Sequence, residues 1–188
     1  MKADLKQVLA TADLLHDQAG VEAAIARMAG EIRADYPDAD DIDGRPLFLT
    51  IMHGGFPFAA RLAMELGLRG LDLALDYLHA SRYRGSTSGR ELRWMHEPAT
   101  PLQGRRVLLV DDILDEGHTL AGIIEWCRAQ GAAEVRVAVL TVKEHDRCVE
   151  GVCADYVGLR VPDRYVFGYG MDYHEQGRNL PAIYAMAE

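Results

Sequence analysis

Between Val107 and Leu120 the chain reads VLLVDDILDEGHTL, four apolar residues and then four carboxylates within six positions. An apolar run of this kind is read as a buried strand that carries the following residues to the edge of a sheet. Backbone N–H groups in the turn that follows, with the N-terminus of the next helix, make a cradle for a phosphate. Gly117 permits the positive φ or the close approach that such a turn requires. Thr119 adds a hydroxyl donor, and the adjacent acids Asp111 and Asp112 can accept hydrogen bonds from two vicinal sugar hydroxyls. Capping a helix or solvating a loop is the alternative account, but four acids exceed that need.

Two more polar segments follow apolar runs. LFLTIM (Leu47–Met52) leads directly into His53-Gly54-Gly55, whose paired glycines let backbone N–H groups face an anion or simply close a strand–helix turn. SRYRGSTSGRELR carries Arg82, Arg84, Arg90 and Arg93 about a GSTSG centre, a composition that fits either a solvated loop or a lid over a polyanion. Lys143 ends the strand-like run EVRVAVLTVK. Beyond it, VPDRYVFGYGMDYHEQGRNL holds Tyr165, Asp172 and Arg178. Taken alone, Tyr165 reads as a core aromatic and Arg178 as a surface cation. His145, Cys148 and Cys153 lack regular zinc-ligand spacing, so they read as parts of a turn rather than as a metal site.

The stretch Val107–Leu120 resembles the phosphoribosyl-pyrophosphate signature of the type I phosphoribosyltransferases. Lys143 and the closing segment point to their hypoxanthine-guanine branch, and the likeness runs from about Leu47 to Glu188. It implies that Asp111 and Asp112 hold the ribose 2′- and 3′-hydroxyls, and that Asp115, Glu116, Gly117, His118 and Thr119 hold the 5′-phosphate. Asp115 would also face purine N7 as general acid/base. His53, Gly54 and Gly55 resemble the family's pyrophosphate loop, often built around a non-proline cis peptide, and Arg178 would bind the same group. Ser81, Arg82 and Tyr83 fall where relatives have a mobile lid. Lys143 would donate to the 6-oxo group, Tyr165 would stack on the ring, Val166 would read its edge through the backbone, and Asp172 would approach from the metal side.

The resemblance also implies Mg²⁺, on Asp111, Asp112 and Asp172, since this ion prefers phosphate and hydroxyl oxygens. The implied reaction joins hypoxanthine or guanine to 5-phosphoribosyl-1-pyrophosphate, giving the nucleoside monophosphate and pyrophosphate in a homo-oligomer, dimer or tetramer. Three departures from the family pattern stand out. Glu116 replaces a small hydroxyl residue, and a carboxylate beside a phosphate is unfavourable unless it points to solvent. His53 replaces a lysine, exchanging a permanent charge for a titratable one. In the lid, the serine is displaced by one from the family's Ser-Tyr pair.

Placing these loops requires a particular frame. Val21, Ala24, Ile25, Met28, Ala29 and Ile32 predict an amphipathic helix from Val21 to about Ala34. Strands are predicted at Leu47–Met52, Leu71–Ala80, ELRWM, Arg105–Val110 and Glu134–Lys143. FPFAARLAMELG and His118 to about Gln130 read as helices, with Pro57 in the first turn of one and Gly131 closing the other. The alternation predicts an α/β fold with a mostly parallel sheet flanked by crossover helices, and ligands at the carboxyl ends of its strands. A single domain 1–188 is expected, its core about residues 20–143, with a hood formed mainly by residues 144–188 and the N-terminal segment.

A net charge of −9 argues against a nucleic-acid partner, which needs a basic face. No apolar run approaches ~18 residues and the N-terminus lacks a signal-peptide layout, so no membrane partner and a cytoplasmic location are expected. Xanthine or another base as substrate stays open, as does a nucleic-acid-binding regulator on the same fold. A P-loop nucleotidase is disfavoured, because no GxxxxGK[ST] is present.

Overall fold

The structure, a computed structural model, describes residues 4–39, 42, 44–82 and 92–187. A six-stranded sheet has the order β4-β3-β2-β5-β6-β7. Its strands are β2 (Leu47–Ile51), β3 (Ala74–Arg82), β4 (Leu92–His96), β5 (Arg106–Leu114), β6 (Glu134–Glu144) and β7 (Tyr156–Pro162). All neighbours run parallel except β3 and β4, which form an antiparallel pair.

The helices cover both faces, which is why the central strands read as unbroken apolar runs rather than as alternating ones. α2 (Gln18–Asp35) starts where the Asp17 carboxylate accepts from Gly20 N at 2.8 Å, satisfying one free N–H of the first turn. It buries Val21, Ile25, Met28 and Ile32 on one stripe. Together with Phe58, Leu62 and Leu66 of α3 (Phe56–Leu68) it packs on Phe48, Leu108, Val110 and Leu140. On the other face α4 (His118–Ala129) sets Leu120, Ile123 and Cys127 against Leu49, Leu109, Val137 and Val139.

A second, three-stranded sheet joins β1 (Asp13–His16), β9 (Ile183–Ala185) and β8 (Val166–Phe167), all antiparallel, with the short α1 (Leu5–Leu9) before it. Both ends of the described chain therefore meet in this hood. The sequence-based boundary at residue 143 needs correction, because β7 belongs to the main sheet, hydrogen-bonded to β6. Its burial alternates along the strand, unlike the solid apolar runs of β5 and β6, so it is legible only as a short edge strand. β5 also runs four residues past Val110, which makes Asp111 and Asp112 strand residues rather than loop residues. β3 begins at Ala74 rather than Leu71.

Ser81 and Arg82 end β3, whereas Tyr83, Arg84 and Arg90 lie outside the described residues. On the outer side of α3, Phe56, Met64 and Leu68 are exposed, and so are Leu75 and Tyr77 of β3. No helix among the described residues is long and apolar enough to cross a membrane.

Candidate active site

The carboxyl ends of β2, β3 and β5 converge on a cleft of about 500 Å³. His53 and Gly54 line it after β2, His79 and Ser81 on β3, and Asp111 through Thr119 along the end of β5 and into α4, with Arg178 closing one side. A smaller pocket of about 280 Å³ adjoins it, lined by Asp112, Asp115, Lys143, Tyr165, Val166 and Asp172 among others. The two hollows share Asp112, Ile113 and Asp115. A larger hollow of about 600 Å³ between α4 and the turn at residues 149–153 carries neither the paired aspartates nor Lys143.

At the end of β5, Asp111 and Asp112 both line the cleft, and their carboxyl groups are close enough to share a hydrogen bond. The Asp111 carboxylate accepts from Asp112 N at 3.0 Å, and that of Asp112 from Ile113 N at 2.9 Å. Beneath them, the fully buried Thr141 donates its hydroxyl to the Asp112 carbonyl at 2.9 Å. Burial, reinforced by the charge of Asp112, holds the Asp111 carboxyl well above the usual carboxylate range. Burial also raises Asp112, against the opposing pull of its hydrogen bond with Asp111 and the charge of Arg178.

The glycine loop after β2 has a cis peptide between Met52 and His53. A side chain at Gly54 would place its Cβ 2.1 Å from Asp112 Oδ2, so only glycine lets this loop lie against the acid. From the hood side, Gly170 (φ 105°) approaches so closely that a Cβ there would fall 2.1 Å from the Gly54 carbonyl oxygen. Gly170 is in turn tied to Arg178, whose Nη1 donates to its carbonyl at 2.7 Å and whose Nη2 meets Asp172 Oδ1 at 2.8 Å. The remaining Asp172 oxygen accepts from Glu175 N at 2.7 Å, and the Tyr165 hydroxyl donates to the Asp172 carbonyl at 3.1 Å.

Gly117, with φ 79°, turns the chain into α4, so the free N–H groups of the first turn open on the cleft. The Glu116 side chain is 50% exposed, 3.6 Å from His118 Nε2, while its carbonyl accepts from Val149 N at 2.8 Å. Thr119 lines the cleft one residue further on. Asp115 faces the smaller pocket. Its Oδ2 accepts from Lys143 Nζ at 2.6 Å and its Oδ1 meets His145 Nε2 at 2.7 Å. Burial alone would raise this carboxyl, but the hydrogen bonds from Lys143 and His145 outweigh it and hold the group below the usual range.

Two histidines enter the site that sequence reasoning left out. His79 packs edge-on to His53 with ring centroids 4.3 Å apart, and burial followed by the neighbouring His53 and His96 lowers its pKa. Its place near the carboxyl end of a predicted strand was the available signal. His145, weighed in the sequence only with Cys148 and Cys153, turns instead to Asp115. Among the described residues no three His, Cys, Asp or Glu side chains converge to hold a metal by themselves.

The family described as phosphoribosyl transferase domain matches residues 11–175. A hypoxanthine-guanine phosphoribosyltransferase from Bacillus subtilis (strain 168) is 32% identical over 184 residues, 97% of this chain and 94% of that protein. Among solved structures, a hypoxanthine phosphoribosyltransferase from Trypanosoma cruzi in a ternary substrates complex superposes with TM-score 0.87 at 26% identity, covering 93% of this chain and 94% of that one. One from Staphylococcus aureus gives TM-score 0.85 at 25% identity, covering 100% and 96%.

The raised carboxyl of Asp111 has a consequence for stability. A folded-state pKa above the unfolded value means that the contribution of this group is fully present below the ordinary carboxylate pKa and is lost as pH rises through the raised value. Asp111→Asn should therefore raise the thermal midpoint at about pH 7, with the two proteins converging near about pH 4. A difference in midpoint that does not vary with pH would contradict this account.

Proposed function

The chain belongs to the phosphoribosyltransferase family, and we propose that it is a purine salvage enzyme within it. It joins hypoxanthine or guanine to 5-phosphoribosyl-1-pyrophosphate, releasing IMP or GMP and pyrophosphate. The observation that carries this reading is the shared wall of the two hollows, where Asp115 stands between the cleft and the smaller pocket with Lys143 bonded to it. A donor and an acceptor so placed match the 6-oxo group and N7 of a 6-oxopurine.

In this reading the 5′-phosphate lies on the backbone N–H groups from Asp115 to Thr119 at the start of α4, where the helix dipole favours an anion. Glu116 serves through its backbone, with its side chain toward solvent and His118. The ribose hydroxyls donate to Asp111 and Asp112. The pyrophosphate faces His53, Gly54 and Gly55, and Arg178 meets it from the hood. The purine rests against Tyr165, with the Val166 backbone at its edge and Asp172 near the pyrophosphate side. Ser81 and Arg82, with Tyr83 beyond the described residues, belong to the lid that excludes water.

Mg²⁺ fits this donor set. No group of three described side chains would hold a metal unaided, as suits an ion that takes its remaining oxygens from water and substrate. Asp111 and Asp112 are the carboxylates that would hold it, with Asp172, whose oxygens meet Arg178 and Glu175 N, approaching through water, and when bound it would neutralise charge on the leaving pyrophosphate. The chain's own residues do the rest. N9 of the base attacks the anomeric carbon as the bond to pyrophosphate breaks, through an oxocarbenium-like state. Asp115 takes the N7 proton while Lys143 stabilises the oxo group.

The free thiols of Cys127, Cys148 and Cys153 accord with a reducing, cytoplasmic setting. A second copy of this chain is the partner we assign to the exposed stripe of Phe56, Met64 and Leu68 with Leu75 and Tyr77. The set is an exposed apolar patch drawn from α3 and β3, of the kind that a two-fold pair buries against its own copy.

Purified protein with Mg²⁺ and the phosphosugar, offered hypoxanthine, guanine, xanthine, adenine and uracil in parallel, should form nucleotide with the 6-oxopurines; no product from any base would overturn the reading. In the same assay Lys143→Gln should depress 6-oxopurine use selectively, and equal loss across bases would remove its assigned role. Asp115→Asn should lower kcat by about 10²–10⁴ with phosphosugar binding retained. Near-wild-type turnover in that variant would refute Asp115 as the base. For the stripe, Met64→Glu should shift the protein to monomer in light scattering, and an unchanged mass would place the interface elsewhere.

A further inference from the structure

His145 is nearly enclosed, with its side chain 3% exposed, and both ring nitrogens are engaged. Nδ1 accepts from Arg147 N at 3.1 Å, and Nε2 lies 2.7 Å from Asp115 Oδ1. A backbone amide only donates, so Nδ1 must supply the lone pair and the ring proton sits on Nε2. The imidazole is thus a neutral donor aimed at one oxygen of Asp115. The turn that carries it is anchored in addition by Arg147, whose guanidinium meets both oxygens of Asp163 at 2.8 Å.

Lys143 holds the other oxygen, Oδ2, at 2.6 Å. The function proposed above asks Lys143 to serve the purine's oxo group and Asp115 to accept the N7 proton. Lys143 has three donors, but while its ammonium stays 2.6 Å from Oδ2, and His145 stays on Oδ1, it crowds the approach of N7 to the carboxylate. Once Lys143 turns away, a carboxylate with no other partner is free to rotate, and hydrogen-bond geometry to N7 is lost.

Resting on that reading of Asp115, we propose that His145 is its positioning residue, holding Oδ1 fixed while Lys143 moves from Oδ2 to the base. The N7 proton then passes to Oδ2 and stays there. Nε2 already bears a hydrogen and has no lone pair to receive it, so His145 orients the acid without relaying its proton. A protein donor survives on the carboxylate throughout, which keeps its proton affinity from rising without limit when Lys143 leaves.

The test compares His145→Leu, which removes the donor, with His145→Gln, which retains an N–H in its place. His145→Leu should lower kcat about tenfold, as expected for a lost hydrogen bond to a charged group, with KM for the phosphosugar within about twofold. His145→Gln should recover most of that loss. Followed by carbon NMR in the free protein, the Asp115 carboxyl should titrate at higher pH in His145→Leu and at its original position in His145→Gln. Equal kcat in the two variants, or an unmoved Asp115 titration in the leucine variant, overturns the proposal. The titration is read without substrate. A wild-type protein that makes no nucleotide therefore refutes the purine reading, while the NMR outcome separately decides whether His145 governs Asp115. If the leucine variant does not fold, nitrogen NMR of the wild-type ring decides the point: a proton on Nε2 and an accepting Nδ1 support it, and the opposite tautomer overturns it.

Discussion

Withdrawing two neighbouring carboxylates from water at the end of a central strand costs free energy unless something is arranged around them. Asp111 and Asp112 lie on β5, which sits between β2 and β6 in the middle of the sheet. Much of the molecule's irregular backbone is disposed about this pair. Gly54 lies against the Asp112 carboxylate, Gly170 lies against Gly54, and Arg178 brings a positive charge that is itself fastened to Gly170 and Asp172. Thr141 supports the strand from below. What such a pair lacks is hydroxyl donors and further cations.

That arrangement links the two sheets. The large sheet supplies fixed positions, since β2, β3 and β5 are parallel neighbours whose carboxyl ends lie side by side. The hood supplies the wall opposite, with Tyr165, Val166 and Asp172 facing Lys143 across the smaller pocket. Neither half holds a complete set of donors and acceptors. Asp115 sits at the seam, bound from the β6 side by Lys143 and by His145 just beyond it.

Much of this was legible in the sequence, for physical reasons. A strand buried on both faces must be apolar throughout, so VLLV and LFLTI announced themselves, and the turn into α4 was marked by Gly117, whose φ is positive. The amphipathic period of α2 predicted its buried stripe residue by residue. Features fixed by distant pairing were not legible. β1 is four residues with no clean alternation, and its partner β9 lies near the other end of the chain. β7 was assigned to the hood because its run is short and interrupted by Gly158. His145 read as a turn residue because its partner is 30 positions away, and nothing local in VKEHDR encodes that bond. Asp111 and Asp112 were identified as a pair, yet their place inside the strand depends on the β6 register.

The pairing of β1 with β9 also bears on when the protein becomes competent. A ribosome delivers the sheet core in order, and β2, β5 and β6 can pair as soon as they emerge, because each contact spans a modest stretch of chain. The hood cannot follow that schedule. Asp13 finds Ala185 only after every residue between them has been made, a closure of large entropy cost that comes after the sheet core has paired. A growing chain would thus form the turn into α4 well before the hood could close over the smaller pocket, so the two hollows would be completed one after the other rather than together.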